Sequence, residues 1–202
     1  MRFASLGSGS AGNATVIEAG ETRLLLDCGF SVKETVQRLA RLSLYPEQLS
    51  GILVTHEHDD HARGVFKLAA RFNLPVWLTH GTYRMCARYL PSQPVTCHTI
   101  DAHSPFAVDA LEVHPYPVPH DAREPAQFVL TDGARKLGVL TDVGSVTPHI
   151  ISMLHGCDGL LLECNHDLDM LRTGPYAAAL KQRVGGWLGH LDNQTSAQLL
   201  AK

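Results

Sequence analysis

The chain has 202 residues, with 17 lysines and arginines against 20 aspartates and glutamates and a formal net charge of −3. That length suffices for a single α/β domain spanning 1–202 with a substantial core, and the charge balance excludes a globally basic surface of the kind that binds nucleic acid or anionic membranes without further structure. No apolar run approaches a membrane span, no signal-peptide pattern opens the chain, and five scattered cysteines without a C-x-x-C pair suit reduced thiols in the cytoplasm, so no membrane partner is expected.

In chain order, MRFASL reads as a short strand and leads into GSGSAGN, Gly7 to Asn13. Gly7, Gly9 and Gly12 satisfy G-x-G-x-x-G, and Asp27 follows at the distance of a ribose-binding carboxylate. A dinucleotide site needs a helix directly after the glycines. Instead ATVIEAG and TRLLLDCG carry β-branched and apolar residues around an AGET turn, which predicts a hairpin. The dinucleotide reading is therefore set aside. SVKETVQRLARL opens with the capping box Ser31 and Glu34 and places Val32, Val36 and Leu39 on one helical face. YPEQLS connects to GILVT, a continuous apolar run that predicts a strand covered on both faces, and this runs straight into HEHDDH. A helix over ARGVFKLAARF, a strand PVWLT and a helix over GTYRMCARYL follow. From Pro105 the strands FAV, ALEVHPYPV, AQFVLTDG and RKLGVLTD return, separated by Gly and Asp turns. TPHIISMLHG predicts a helix, DGLLLECN a buried strand, and YAAALKQRV and NQTSAQLLAK two final helices. Each half gives strands first and βα units after, which predicts two sheets packed face to face between helical layers, a four-layer αββα sandwich.

The chemistry concentrates in HEHDDH. Twelve histidines are many for this length, and His56, His58, Asp60 and His61 fall within six residues at the end of a buried strand. Imidazole suits zinc, iron and manganese, and a carboxylate adds a hard oxygen ligand. His56 and His58 project to one side if extended geometry persists and can share one ion. Asp60 and His61, at the turn into a helix, can address a second. His80, His98, His103, His114, His149 and His155 show no partner pattern and read as surface, turn or core residues.

His-x-His-x-Asp-His after an LLLDCG hairpin strand resembles the metallo-β-lactamase fold superfamily of binuclear metallohydrolases, over nearly the whole chain. The resemblance implies two divalent metal ions, zinc, manganese or iron. His56, His58 and the His120 of PHDA would hold one, Asp60 and His61 the other, and the Asp142 of VLTDVG would bridge them. Asp27 then becomes a carboxylate that fixes a ligand histidine. LGSGSAGNATVIE, PHDAREPAQF, LLLECNHD and YAAALKQRVGGWLGHLDN together look like the YycJ/WalJ branch of phosphoesterase-like hydrolases, which implies a cytoplasmic nuclease acting on DNA. GSGSAGN is similar to that branch's loop between its first two strands. Its backbone N–H groups, with Ser10 and Asn13, are expected to offer donors to a phosphate. The His190 of GHLDN matches a histidine beside the leaving group in related phosphodiesterases, a general acid. Glu163, Asn165 and His166 of ECNHD are expected to support the site, and Lys181 and Arg183 either to neutralise phosphates or to solvate a helix. The branch usually has Ser where Asp192 stands.

The leading expectation is a two-metal phosphodiesterase, a nuclease, in which activated hydroxide attacks phosphorus, Asp60 and Asp142 orient it and His190 assists the departing alkoxide. The alternatives are hydrolysis of another ester, a thioester or a lactam, and a metal-binding scaffold without turnover. The family also carries a strand after GHLDN with a final histidine ligand for the Asp60–His61 metal. No histidine follows His190 before Lys202, so a C-terminally truncated sandwich with an incomplete second site, prone to associate with another copy, is expected.

Overall fold

Strands β1 (Arg2–Gly7), β2 (Ala14–Ala19) and β3 (Thr22–Leu26) form the antiparallel meander that their apolar and β-branched residues predict. This is read from a computed structural model that describes residues 1–202. β2 follows the glycine loop directly, where a dinucleotide site would need a helix. Beyond β3 the sheet becomes parallel: β4 (Gly51–Leu53), β5 (Val76–Thr79) and β6 (Cys97–Ile100) add in sequence order. Helices α1 (Val32–Ala40), α2 (Asp59–Ala62), α3 (Val65–Phe72) and α4 (His80–Met85) lie in the crossovers. The Ser31–Glu34 capping box forms at the start of α1.

The second sheet is a meander of β7 (Phe106–Val108), β8 (Leu111–Pro117), β9 (Ala126–Thr131) and β10 (Lys136–Leu140). After α5 (Pro148–Leu154), β11 (Gly159–Leu162) adds parallel to β10. Helices α6 (Leu168–Thr173), α7 (Ala178–Val184) and α8 (Asn193–Leu200) follow.

Period-two alternation sorts the side chains into layers. On β3, Leu24 and Leu26 face the second sheet, where Phe128, Leu130, Leu137 and Val139 meet them. Leu25 points the other way, toward Leu39 of α1 and Phe66 of α3. On the far side, Val129 and Leu140 pack with Ile150 of α5 and Leu199 of α8. The order is helix, sheet, sheet, helix, as the pattern predicts.

Four details differ from the sequence reading. The helix expected over 62–72 is split into α2 and α3 at Arg63–Gly64, where a Cβ on Gly64 would strike the Phe30 carbonyl. β6 and α6 were not predicted. CHTI and LDMLRT are short and carry no buried residue, so they lack the apolar periodicity that reveals an element. DGLLLECN is half-buried rather than buried, because β11 has β10 as its one neighbour at the sheet edge.

What the fold does for function is to aim the chain at one rim. β3 and β4 run parallel, as do β8, β10 and β11. The segments leaving their C-terminal ends carry Asp27, His56–His61, His120, Asp142 and Glu163.

Candidate metal centre

Leu53 and Val54 are fully buried, and the chain leaves β4 through buried Thr55 and His56. The Thr55 hydroxyl donates to Asp27 Oδ2 at 2.8 Å, so toward His56 Nδ1, 2.9 Å away, it can only accept. That fixes the proton of His56 on Nδ1 and leaves Nε2 bare. His58 Nε2 donates to the Asp121 carbonyl at 3.2 Å, leaving Nδ1 bare. His120 Nδ1 donates to the Gly189 carbonyl at 3.1 Å, leaving Nε2 bare.

The three bare nitrogens converge. His56 Nε2 is 3.0 Å and His120 Nε2 is 3.3 Å from His58 Nδ1. Lone pairs so placed repel one another unless a cation stands among them. Nitrogens about 2.0–2.1 Å from a tetrahedral zinc lie about 3.3 Å apart, so the spacing fits a metal. Protonation states agree. Burial and the neighbouring imidazoles hold His56 well below the usual histidine range, and burial brings His120 down to about 4. Both are therefore neutral at pH 7, the form in which an imidazole can bind a metal.

A second group, His56, His61 and Asp142, brings its ligand atoms within 4.8 Å of one another. His61 Nδ1 donates to Asp27 Oδ2 at 2.8 Å, and its Nε2 lies 2.8 Å from Asp142 Oδ2. Burial opposes charge on His61, but Asp27 and Asp142 outweigh it and push the imidazole up to about 10. Burial likewise opposes the Asp142 carboxylate, and its hydrogen bonds to His190 and His61 win, holding it far below the usual range. Buried carboxylates facing imidazoles demand positive charge here, which a divalent ion supplies.

Asp60 stands at the edge of this group, Oδ2 3.6 Å from His61 Nε2, where Asn13 Nδ2 reaches it at 3.1 Å. Asn13 also donates its backbone N–H to the Asp60 carbonyl at 2.7 Å. The glycine loop is thus riveted to the ligand segment. Gly12, at φ 153°, passes so close that a Cβ would enter the Phe30 ring. The nest expectation is corrected in part: the Gly9 and Gly12 N–H groups are engaged within the loop, by Asn13 Oδ1 and the Gly9 carbonyl. Ser10 is exposed on its rim.

His190 sits across from these clusters, its ring centroid 5.3 Å from that of His120. Nδ1 is 2.6 Å from Glu163 Oε1 and 3.3 Å from Asp142 Oδ1. Burial would lower it, but those two carboxylates raise it to about 10. Glu163 Oε2 also accepts the Val143 and Leu191 N–H groups at 3.0 and 3.2 Å, so it holds the Asp142 and His190 segments together.

Other expected residues fall elsewhere. Asn165 is exposed and pairs with His166 Nδ1 at 3.3 Å. Lys181 Nζ donates to the Arg172 carbonyl at 2.7 Å. Arg183 is tied to Asp121, Nε to Oδ2 at 2.6 Å, and Asp192 caps α8. Sequence reasoning missed Thr55 and Asp121, whose signal was adjacency to His56 and His120. It also missed Glu57, which accepts the Arg123 N–H at 2.7 Å and joins the HEHDDH segment to the one after His120.

Asp27→Asn keeps the left-handed backbone of this position (φ 58°) and the Oδ1 acceptor for the Thr55 N–H, but removes the charge behind His61 and replaces the Oδ2 that accepts from His61 and the Thr55 hydroxyl. Affinity for Mn2+ or Zn2+ by calorimetric titration is expected to fall about 10–100-fold in protein that circular dichroism shows to be folded. Wild-type affinity would place His61 outside the metal set.

Residues 22–202 match the family described as beta-lactamase superfamily domain. Over its full length the chain is 32% identical to exodeoxyribonuclease WalJ of Streptococcus pneumoniae serotype 2, across 205 positions covering 76% of that protein. It is 34% identical to exodeoxyribonuclease YycJ of Bacillus anthracis across 202 positions, again 76% of that protein. Of solved structures, human tRNase Z, short form, superposes with a TM-score of 0.72 at 17% identity, covering 98% of this chain and 87% of that one, a likeness of fold.

Proposed function

The chain belongs to the beta-lactamase superfamily, and within it to the family of WalJ and YycJ; from that premise we propose that it is a metal-dependent nuclease that hydrolyses phosphodiester bonds in DNA. The observation that carries this reading is the convergence of bare imidazole nitrogens beside a carboxylate-held histidine, His190. Three convergent imidazole nitrogens suit a divalent ion, zinc first and then manganese or iron. In this reading His56, His58 and His120 would hold one ion, and His61, Asp60 and Asp142 would hold a second more weakly, having fewer imidazoles. Divalent ions so held would supply an activated water and counter-charge for the phosphoryl oxygens.

The protein's own groups do the rest. Asp60 and Asp142 accept hydrogen bonds from the attacking water and aim it. The Glu163 and Asp142 carboxylates favour His190 as the imidazolium, so that with Nδ1–H held on Glu163 the second proton, on Nε2, is there to donate to the departing alkoxide. The five cysteines are all free, and we place the protein in the reducing cytoplasm.

The test offers bis(p-nitrophenyl) phosphate and an acyl thioester to the metal-loaded protein, and then end-labelled DNA and RNA. Diester turnover with DNA cleavage is expected. Thioester turnover without diester turnover would move the chain to another hydrolase chemistry.

A further inference from the structure

The three-imidazole cluster is divided between the two sheets. His56 and His58 follow β4 of the first sheet, and His120 follows β8 of the second. Between the sheets the contact is apolar, with Leu24, Leu26 and Leu53 against Phe128, Leu130 and Val139. Burial of this kind has no direction, so it holds the sheets together without fixing how their rims line up. His58 Nδ1 and His120 Nε2 nevertheless stand 3.3 Å apart, an alignment that needs directional bonds across the rim.

Hydrogen bonds between the HEHDDH segment and the turn after β8 supply that direction. The Ala126 N–H donates to the Thr55 carbonyl at 3.0 Å, and His58 Nε2 donates to the Asp121 carbonyl at 3.2 Å. Between these two, the Arg123 N–H donates to Glu57 Oε1 at 2.7 Å. The first of these bonds is backbone alone, and the second is made by a histidine of the cluster. Glu57 belongs to neither group, and its position is otherwise unfavourable. It is 5% exposed, and its Oε2 is buried without a hydrogen-bond partner. A carboxylate half-satisfied in the interior lowers stability. Stability therefore does not account for Glu57, whereas the direction of its bond to Arg123 does.

Resting on the metal-site reading above, we propose that Glu57 is a positioning residue for His120. Through the Arg123 N–H it holds the turn after β8 against the HEHDDH segment, and so keeps His120 within metal-sharing distance of His56 and His58. It touches neither metal nor substrate in this role.

The experiment titrates Co2+, whose visible absorption reports the number and geometry of its ligands, into chelator-stripped protein. Wild type is compared with Glu57→Gln, Glu57→Ala, Glu57→Leu and Leu111→Ala. Glu57→Gln keeps the Oε1 acceptor and removes the buried charge, so wild-type Co2+ affinity and spectrum are expected, with Tm equal or higher. Glu57→Ala and Glu57→Leu both lack the acceptor, and the leucine leaves less of a cavity if the alanine variant fails to fold. Each is expected to bind Co2+ about tenfold or more weakly, with an altered spectrum, the scale seen when support behind a ligand is lost. Leu111 is fully buried at the start of β8, the end away from His120, so Leu111→Ala should lower Tm and leave Co2+ affinity as it was. Wild-type affinity in folded Glu57→Leu overturns the proposal. So does an equal loss in Glu57→Gln, or a loss in Leu111→Ala that shows affinity merely following stability. Failure of wild type to take up Co2+ would overturn the metal-site reading itself, and the proposal with it.

Discussion

His58→Ala is expected to abolish phosphodiester hydrolysis while leaving the protein folded. His58 Nδ1 is the hub of the three-nitrogen cluster, within hydrogen-bond distance of both His56 Nε2 and His120 Nε2. Disturbing the hydrogen bonds behind a ligand costs about 10–100-fold, so deleting the ligand itself should exceed about a hundredfold. The fold should tolerate the change. His58 is only part-buried, with a side chain 28% exposed, and it lies past the end of β4, so no core layer is opened. Circular dichroism and Tm close to wild type, with turnover lost in the presence of excess metal, are the expected results. Retained turnover would remove His58 from the site.

The second large effect is selective. His190→Ala should slow cleavage of DNA, whose leaving alkoxide is strongly basic, by about 10²–10⁴-fold, the range of positioned general acids. It should slow bis(p-nitrophenyl) phosphate far less, because a nitrophenolate departs without a proton. Glu163, 2.6 Å from Nδ1, and Asp142 favour the doubly protonated ring, which carries the Nε2 proton that the alkoxide needs. Equal losses on both substrates would mean that His190 ligates metal or props up Asp142, 3.3 Å from its Nδ1.

The legible parts of this molecule were those written in contiguous residues. HEHDDH could be read because its ligand types are adjacent and follow a run of apolar residues. The two faces of β3 could be read because leucines alternate with a period of two. Spacing alone could not join Asp27, His120 and Asp142 to that motif. They lie at the ends of strands in different sheets, and their association in the sequence reading came from resemblance. Thr55 and Asp121 were invisible for a related reason: their role is the direction of a hydrogen bond, Thr55 accepting from His56 and the Asp121 carbonyl accepting from His58. Such a direction exists only once the partners are in place. Lys181 and Asn165 could not be assigned from spacing, because a charged or amide residue near a motif in sequence says little about where its side chain is committed. β6 and α6 escaped because an element with no buried residue has no pattern to show.

The central claim is that convergent imidazoles and carboxylates at one rim of the sandwich hold divalent metal and that hydrolysis of DNA depends on it. The most direct measurement strips the purified protein with chelator, follows uptake of Zn2+ and Mn2+ by elemental analysis, and assays end-labelled DNA at each stage. Cleavage should vanish on stripping and return in proportion to bound metal. Undiminished cleavage by the stripped protein, or no uptake of metal under conditions where the protein is folded, would contradict it.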